Sequence, residues 1–305
     1  MKPNSMPVRG AYLIALFLTM ATSLFVSASD DIRAVASLSS AKPYEGQPVA
    51  LTVTLYSTVP DIAYAAISSR EEFEGFTILN APIVDNGENR LKRVIENGRE
   101  LYSAVIYRTM LMPSETGSET IPKLEFTVGV RRPTTVDHPF FGRIMSTVVD
   151  DIEVSTRPIK VKIQSLPKAA SGYSGAIGDF SIEGSVPPGK IYSGEDAIVV
   201  YRISGSGYVD TSCVPSLAEY LPGGVAFKSE TNESSVIVSG DQLLSEIEMV
   251  YTIRAEDAGE YEIPPIPLVY FNPMSKTYQT STSKPLKIKV IKSELPSKPK
   301  IIHSI

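Results

Sequence analysis

Two stretches of the chain carry the same alternation of apolar and polar positions. "KPYEGQPVALTVTL" (residues 42–55) and "KIYSGEDAIVVYRI" (residues 190–203) align Lys, Tyr and Gly, after which apolar residues alternate in phase. Each reads as a glycine turn entering a strand with one buried face. Three further matches follow in the same order. "FEGFTIL" (73–79) recurs loosely as "PGGVAFK" (222–228). Gly117 with Ile121-Pro122 recurs as Gly259 with Ile263-Pro264, at one spacing. "TRPIKVKI" (156–163) recurs as "SKPLKIKV" (283–290), a last strand entered through proline. Four matched segments in one order describe a duplicated domain.

Short apolar runs bounded by Gly and Pro, with no long segment of helical period after residue 28, predict an all-β chain. The expected architecture is two tandem immunoglobulin-like β-sandwich domains. The first spans residues 30–165 and the second 179–292, with a small-residue linker at 166–178 and a polar tail at 293–305. Residues 61–73 allow one short helix. The first copy is longer by about 15 residues, through an insertion at 130–150 read as a long loop. The matching stretch of the second copy, "FNPMSKTYQT" (271–280), reads as a tight hairpin with Asn-Pro turn chemistry.

The phrase D-x-G-x-Y, made by Asp257, Gly259 and Tyr261, suits a structural corner. In immunoglobulin-like sandwiches a Tyr before a central strand bonds back to upstream backbone, and a Cys often sits two residues later. Ile263 fills that slot here. The first copy has Glu119 in place of the Tyr, followed by Ile121.

Composition narrows the setting. The N-terminus carries Lys2 and Arg9 with no acid, then an apolar run at 11–26, then small residues. That is the grammar of a signal peptide at 1–28, cleaved after Ala28 or Ser29. An uncleaved membrane anchor is the alternative, although the run is short for a span. Beyond residue 28 the chain holds 27 Lys+Arg against 34 Asp+Glu, a net charge of −7, which argues against nucleic acid as the main partner. A single cysteine, Cys213, leaves no internal disulfide, so the core must carry stability, and Cys213 reads as a small core residue.

Little in the chain points to catalysis. His138 and His303 are the only histidines. Asp137 is the one immediate acid beside His138, too few ligands for a metal, and no G-x-S-x-G accompanies it. The acidic pairs Asp30-Asp31, Glu71-Glu72, Asp150-Asp151 and Glu256-Asp257 read as solvated charge. "SGSG" (204–207) lacks the ending of a phosphate loop. No catalytic, cofactor or metal residue is assigned. The feature that stands out is "DHPFFGR" (137–143) inside the insertion. Phe140 and Phe141 are either an exposed anchor for a partner or rings folded back onto their own domain. Arg131 and Arg132 beside them could meet acidic groups or lipid head groups.

"YSGAIGDFSIEGSV" (173–186), "YSGEDAIVVYRISGSGYVD" (192–210) and the closing "EYEIPPIPLVYFNPMSKTYQTSTSKPLKIKV" (260–290) together resemble the BatD proteins of the Bacteroides aerotolerance, or oxygen tolerance, operon. "PFFG" (139–142) is similar to an Asp/Phe-rich loop of that family's first half. The resemblance covers residues 30–292. It implies an exported bacterial envelope protein in the periplasm, without catalytic residues, working beside von Willebrand A-type and tetratricopeptide partners. Members usually carry a transmembrane helix after the β domains. Here "IKSELPSKPKIIHSI" (291–305) follows instead, so membrane association would come through partners or an uncleaved N-terminal segment. The expected function is non-enzymatic recognition, in which sandwiches present loops and strand edges to another chain. A carbohydrate- or surface-binding adhesion module is the competing reading, and a hydrolase using His138 is a third.

Overall fold

The computed structural model describes residues 32–69, 72–84 and 91–293. The expected signal peptide, residues 294–305 of the tail, and Asp30, Asp31, Glu71 and His303 lie outside the described residues. The first domain holds β1 (Ile32–Leu38), β2 (Val49–Ser57), β3 (Ile62–Ile67), β4 (Phe76–Ile78), β5 (Ile83–Val84), β6 (Lys92–Glu96), β7 (Arg99–Pro113), β8 (Gly117–Ile121), β9 (Glu125–His138), β10 (Gly142–Ser155) and β11 (Ile159–Ile163). The second holds β12 (Tyr173–Ser185), β13 (Ile191–Tyr192), β14 (Asp196–Tyr208), β15 (Val225–Ser239), β16 (Gln242–Ala255), β17 (Gly259–Ile263), β18 (Pro267–Asn272), β19 (Thr277–Thr282) and β20 (Leu286–Ile291), with two short 3-10 turns between β14 and β15. This is the all-β, immunoglobulin-like class.

Alternation places each core. In β2, Val49, Leu51, Val53 and Leu55 are buried against Phe126, Val128 and Val130 of β9 across the sandwich. In the second copy Val199, Tyr201 and Ile203 of β14 meet Ile247, Tyr251 and Ile253 of β16 in the other core. A bulge between Val53 and Thr54 lets both Ile106 and Tyr107 of β7 turn inward. Tyr107 then meets Phe126 edge-on at 6.2 Å.

The repeated Ile-Pro and Pro-entry motifs answer one another. The β8/β11 and β9/β10 ladders share one register, as do β17/β20 and β18/β19. Pro122 therefore stands opposite Pro158, and Pro264 opposite Pro285. Proline has no N–H to give a ladder, so both strands of the hairpin break at one level and pass from one sheet to the other. The gap is closed by a hydroxyl. Leu124 N–H donates to Thr156 Oγ1, and Ile266 N–H to Ser283 Oγ, each at 2.9 Å.

Three expectations are corrected. Residues 61–73 hold strand β3, not a helix, because pairing to β9 and burial of Ala65 outweigh weak local helix preference. Strand β12 begins at Tyr173 inside the stretch expected as linker, since Ala176 and Ile177 are buried. The insertion at 130–150 is not a loop. It continues β9 and β10 as a regular antiparallel ribbon, in keeping with its Thr, Val and Ile content.

The domains stack end to end. Gln164 bridges to Tyr44 at the end of the first domain where β2 begins. There Tyr44 packs with Ile177 and Phe271 of the second domain, its ring 4.8 Å from that of Phe271 at 72°. The Tyr278 hydroxyl donates to the Pro167 carbonyl at 2.9 Å. A second contact sets Leu243 against Ala50 and Met110. At the opposite end of the first domain lie Ile32, paired with Ser57, and the start of the β9–β10 ribbon.

Candidate functional site

The ribbon is the feature that sets the two copies apart. Val130 is the last residue of β9 paired to β3, and Arg131 N–H donates to the Asp61 carbonyl. From Arg131 to His138 the ribbon runs free of its sheet for about 25 Å at ~3.3 Å per residue. His138 pairs with Gly142, leaving Pro139, Phe140 and Phe141 as the turn. Gly142 adopts φ +67°, the left-handed value such a three-residue turn requires.

The turn gives the two rings nowhere to bury. Phe140 is 88% exposed and Phe141 76%. His138 gathers them, its ring lying 4.9 Å from that of Phe141 and 6.2 Å from that of Phe140. The Phe140 amide donates to His138 Nδ1 at 3.2 Å. His138 thus organises an aromatic cap. Among the described residues no group of three or more His, Cys, Asp or Glu could hold a metal.

Arg131 and Arg132 are engaged within the chain. Arg131 Nη1 lies 3.0 Å from the Asp61 carboxylate, and Arg132 Nε 2.8 Å from that of Asp150. They brace the root of the ribbon to β3 and strand to strand, some 20 Å from the cap at ~3.3 Å per residue. At the tip Arg143 faces Asp137 at 3.6 Å, and both stay largely exposed. The tip therefore presents apolar rings flanked by a compensated charge pair.

Met145, Val136, Val148 and Val149 extend the exposed apolar surface down the ribbon. Sequence reading passes over these residues because an insertion holding "DHPFFGR" (137–143) reads as a loop. The available signal is the β-branched content of "TTV" (134–136) and "STVVDDIEV" (146–154), which favours strand over loop.

At the other motif, the Tyr261 hydroxyl donates to the Asp257 carbonyl at 3.0 Å, and Ile263 is fully buried two residues on. Gly259 lies close under the Tyr261 ring. The bond ties a turn to its own strand and has no catalytic content. Cys213 is buried, and burial raises its pKa above the usual thiol value.

Among solved structures, the chain is similar to the C-terminal domain of the AgI/II polypeptide BspA of Streptococcus agalactiae, at 7% identity over 84% of this chain and 99% of that one, TM-score 0.20. It is also similar to a type II cohesin dyad from the adaptor ScaA scaffoldin of Acetivibrio cellulolyticus, at 11% identity over 75% and 86%, TM-score 0.18. A D1–D4 ectodomain fragment of ICAM-5 aligns at 11% identity over 86% and 77%, TM-score 0.18. At such TM-scores these likenesses decide nothing about fold or function. No curated protein matches the chain. The model of the BatD DUF11 like domain matches twice, over residues 36–163 and 184–290, once in each sandwich. Those two matches cover most of the chain, which therefore belongs to the BatD family.

Proposed function

We propose that the protein is a non-enzymatic recognition and scaffold protein of the bacterial envelope, exported to the periplasm, and that the ribbon tip is its contact with an envelope partner. The exposed aromatic cap carries this reading. A solvent-facing Phe pair on a braced ribbon gains nothing for the fold, and aromatic anchors of this kind dominate binding energy where they enter a partner's cleft. The partners are expected to be von Willebrand A-type and tetratricopeptide envelope proteins, by kinship with the BatD family. Arg131 and Arg132 support the contact by holding the ribbon, not by touching the partner. No helix of the described residues is long and apolar enough to cross a membrane.

The test is capture from envelope extract with residues 30–305 as bait, identified by mass spectrometry. The reading expects a von Willebrand A-type or tetratricopeptide protein, with capture weakened at least about tenfold by Phe140→Ser plus Phe141→Ser. Melting temperature should hold steady in that variant, because neither ring is in a core. Capture unchanged by the double substitution would overturn the assignment of the tip. Retention on glycan or on lipid vesicles, with no protein recovered, would overturn the scaffold reading itself.

A further inference from the structure

Among the described residues, the second domain ends its larger sheet on a strand left open along residues 226–237, with Val238 near its end packed against the Leu243 contact. Strand β15 is the terminal strand in the order β15-β16-β14-β12-β18-β19, paired only with β16. Every residue from 226 to 237 is exposed, so both faces and the outer edge meet solvent. The corresponding edge of the first domain is built differently. There β4, β5 and β6, of three, two and five residues, share the side of β7 and break its edge into pieces. Short broken edges are how sheets avoid pairing with another chain, as are lysine, proline and bulges. In β15 the one bulge falls at Lys228, between Phe227 and Ser229. Beyond it "SETNESSVIVS" (229–239) runs for eleven residues with no lysine, proline or bulge.

We infer that this edge is a homodimer interface, in which β15 pairs antiparallel with β15 of a second copy about a two-fold axis at Ser234. The occupant follows from where the charges sit. Glu230 and Glu233 lie in the first half of the segment, and Val236, Ile237 and Val238 in the second. An antiparallel pair centred on Ser234 uses all eleven bulge-free residues. It places Glu230 opposite Val238, Glu233 opposite Ser235 and Thr231 opposite Ile237. Each carboxylate thus meets a neutral residue, and Ile237, 62% exposed, gains a cross-strand neighbour. A parallel pair in register would set each glutamate on its own copy, which is destabilising. Such an isologous contact joins two six-stranded sheets into one and closes on itself as a dimer. The surface is distinct from the ribbon tip and does not rest on the partner reading above.

Sedimentation of the chain from Asp30 onward, which contains every described residue, tests this from about 1 μM to about 1 mM. The wild-type protein should pass from monomer to dimer with rising concentration. Ser234→Lys and Ser234→Asp each set like charges against each other at the two-fold. Each alone should weaken dimerisation at least about tenfold, and an equimolar mixture should restore it. Unchanged circular dichroism and melting of both variants would separate edge repulsion from misfolding. A wild-type monomer throughout would overturn the inference, as would a dimer indifferent to both substitutions or a mixture that fails to recover.

Discussion

Tyr44→Ala tests whether the two sandwiches behave as one unit. Tyr44 belongs to the first domain but is only 9% exposed, because Ile177 and Phe271 of the second cover it. It is not part of the first domain's own core. Burying a large apolar side chain is worth about 1.5–3 kcal/mol. An edge-on aromatic pair such as that with Phe271 adds about 0.5–1.5 kcal/mol. Truncation should therefore remove about 3 kcal/mol of coupling between the domains while sparing either core. Thermal unfolding followed by calorimetry is the assay. The wild-type protein should unfold in one transition. The variant should resolve two, the less stable one lowered by about 6–12 °C at 2–4 °C per kcal/mol. Gly46→Ala should act alike, since an added Cβ would sit 2.8 Å from Ile177 Cδ1 at φ +76°. A single transition with an unmoved midpoint in Tyr44→Ala would refute the coupling, leaving the contact at Leu243 and Ala50 or the chain connection to account for the stacking.

Two further outcomes are expected. Gly207→Ala should cost about 2–4 kcal/mol in urea unfolding, because its Cβ would lie 2.2 Å from the Ile177 carbonyl oxygen at φ +130°, whereas Gly240→Ala, at φ +59° with open space around it, should cost about 1 kcal/mol. Asp210→Asn should lose about 1–2 kcal/mol at neutral pH by weakening the bonds its carboxylate accepts from the Ser212 amide and hydroxyl and the Tyr208 hydroxyl. Burial pushes the Asp210 carboxyl up, but those bonds and one from Cys213 outweigh it and hold the pKa below the ordinary value. The folded pKa lies below the unfolded one, so the stabilisation is present above the ordinary carboxylate range and fades as pH falls through the depressed value. A pH series of urea midpoints should show the gap between wild type and variant closing on the acid side.

Much of the fold could be read from the chain because the duplication doubled the signal. The Gly turn before β2 and β14 and the proline-entered last strands stood out by recurring. What those prolines do was hidden, since two prolines facing each other across a ladder are about 36 residues apart in the first copy and about 21 in the second. Residues 173–178 read as linker because Ala, Ser and Gly are poor advertisements for a strand, and Ala176 and Ile177 owe their burial to neighbours far along the chain. At the candidate site Phe140 and Phe141 announced themselves, but their exposure depended on a ribbon whose length only pairing reveals. Arg131 reads as free charge because its partner Asp61 lies about 70 residues away, and Arg132 because its partner Asp150 faces it only once the ribbon pairs. The open edge at β15 left no local mark at all, being a property of sheet order.

End-to-end stacking also makes the molecule a spacer. The β20 strand closes at Ile291 beside Tyr192, at the end of the second sandwich away from Tyr44. Two sandwiches with strands of about 40 Å, plus the ribbon, place the Phe140-Phe141 cap on the order of 100 Å from Ile291, at ~3.3 Å per residue. Whatever holds the protein near Ile291 presents the aromatic tip at a fixed height, set by the number of sandwiches and the stiffness of their joint. Loosening Tyr44 would then shorten and scatter that reach without altering a single atom of the tip.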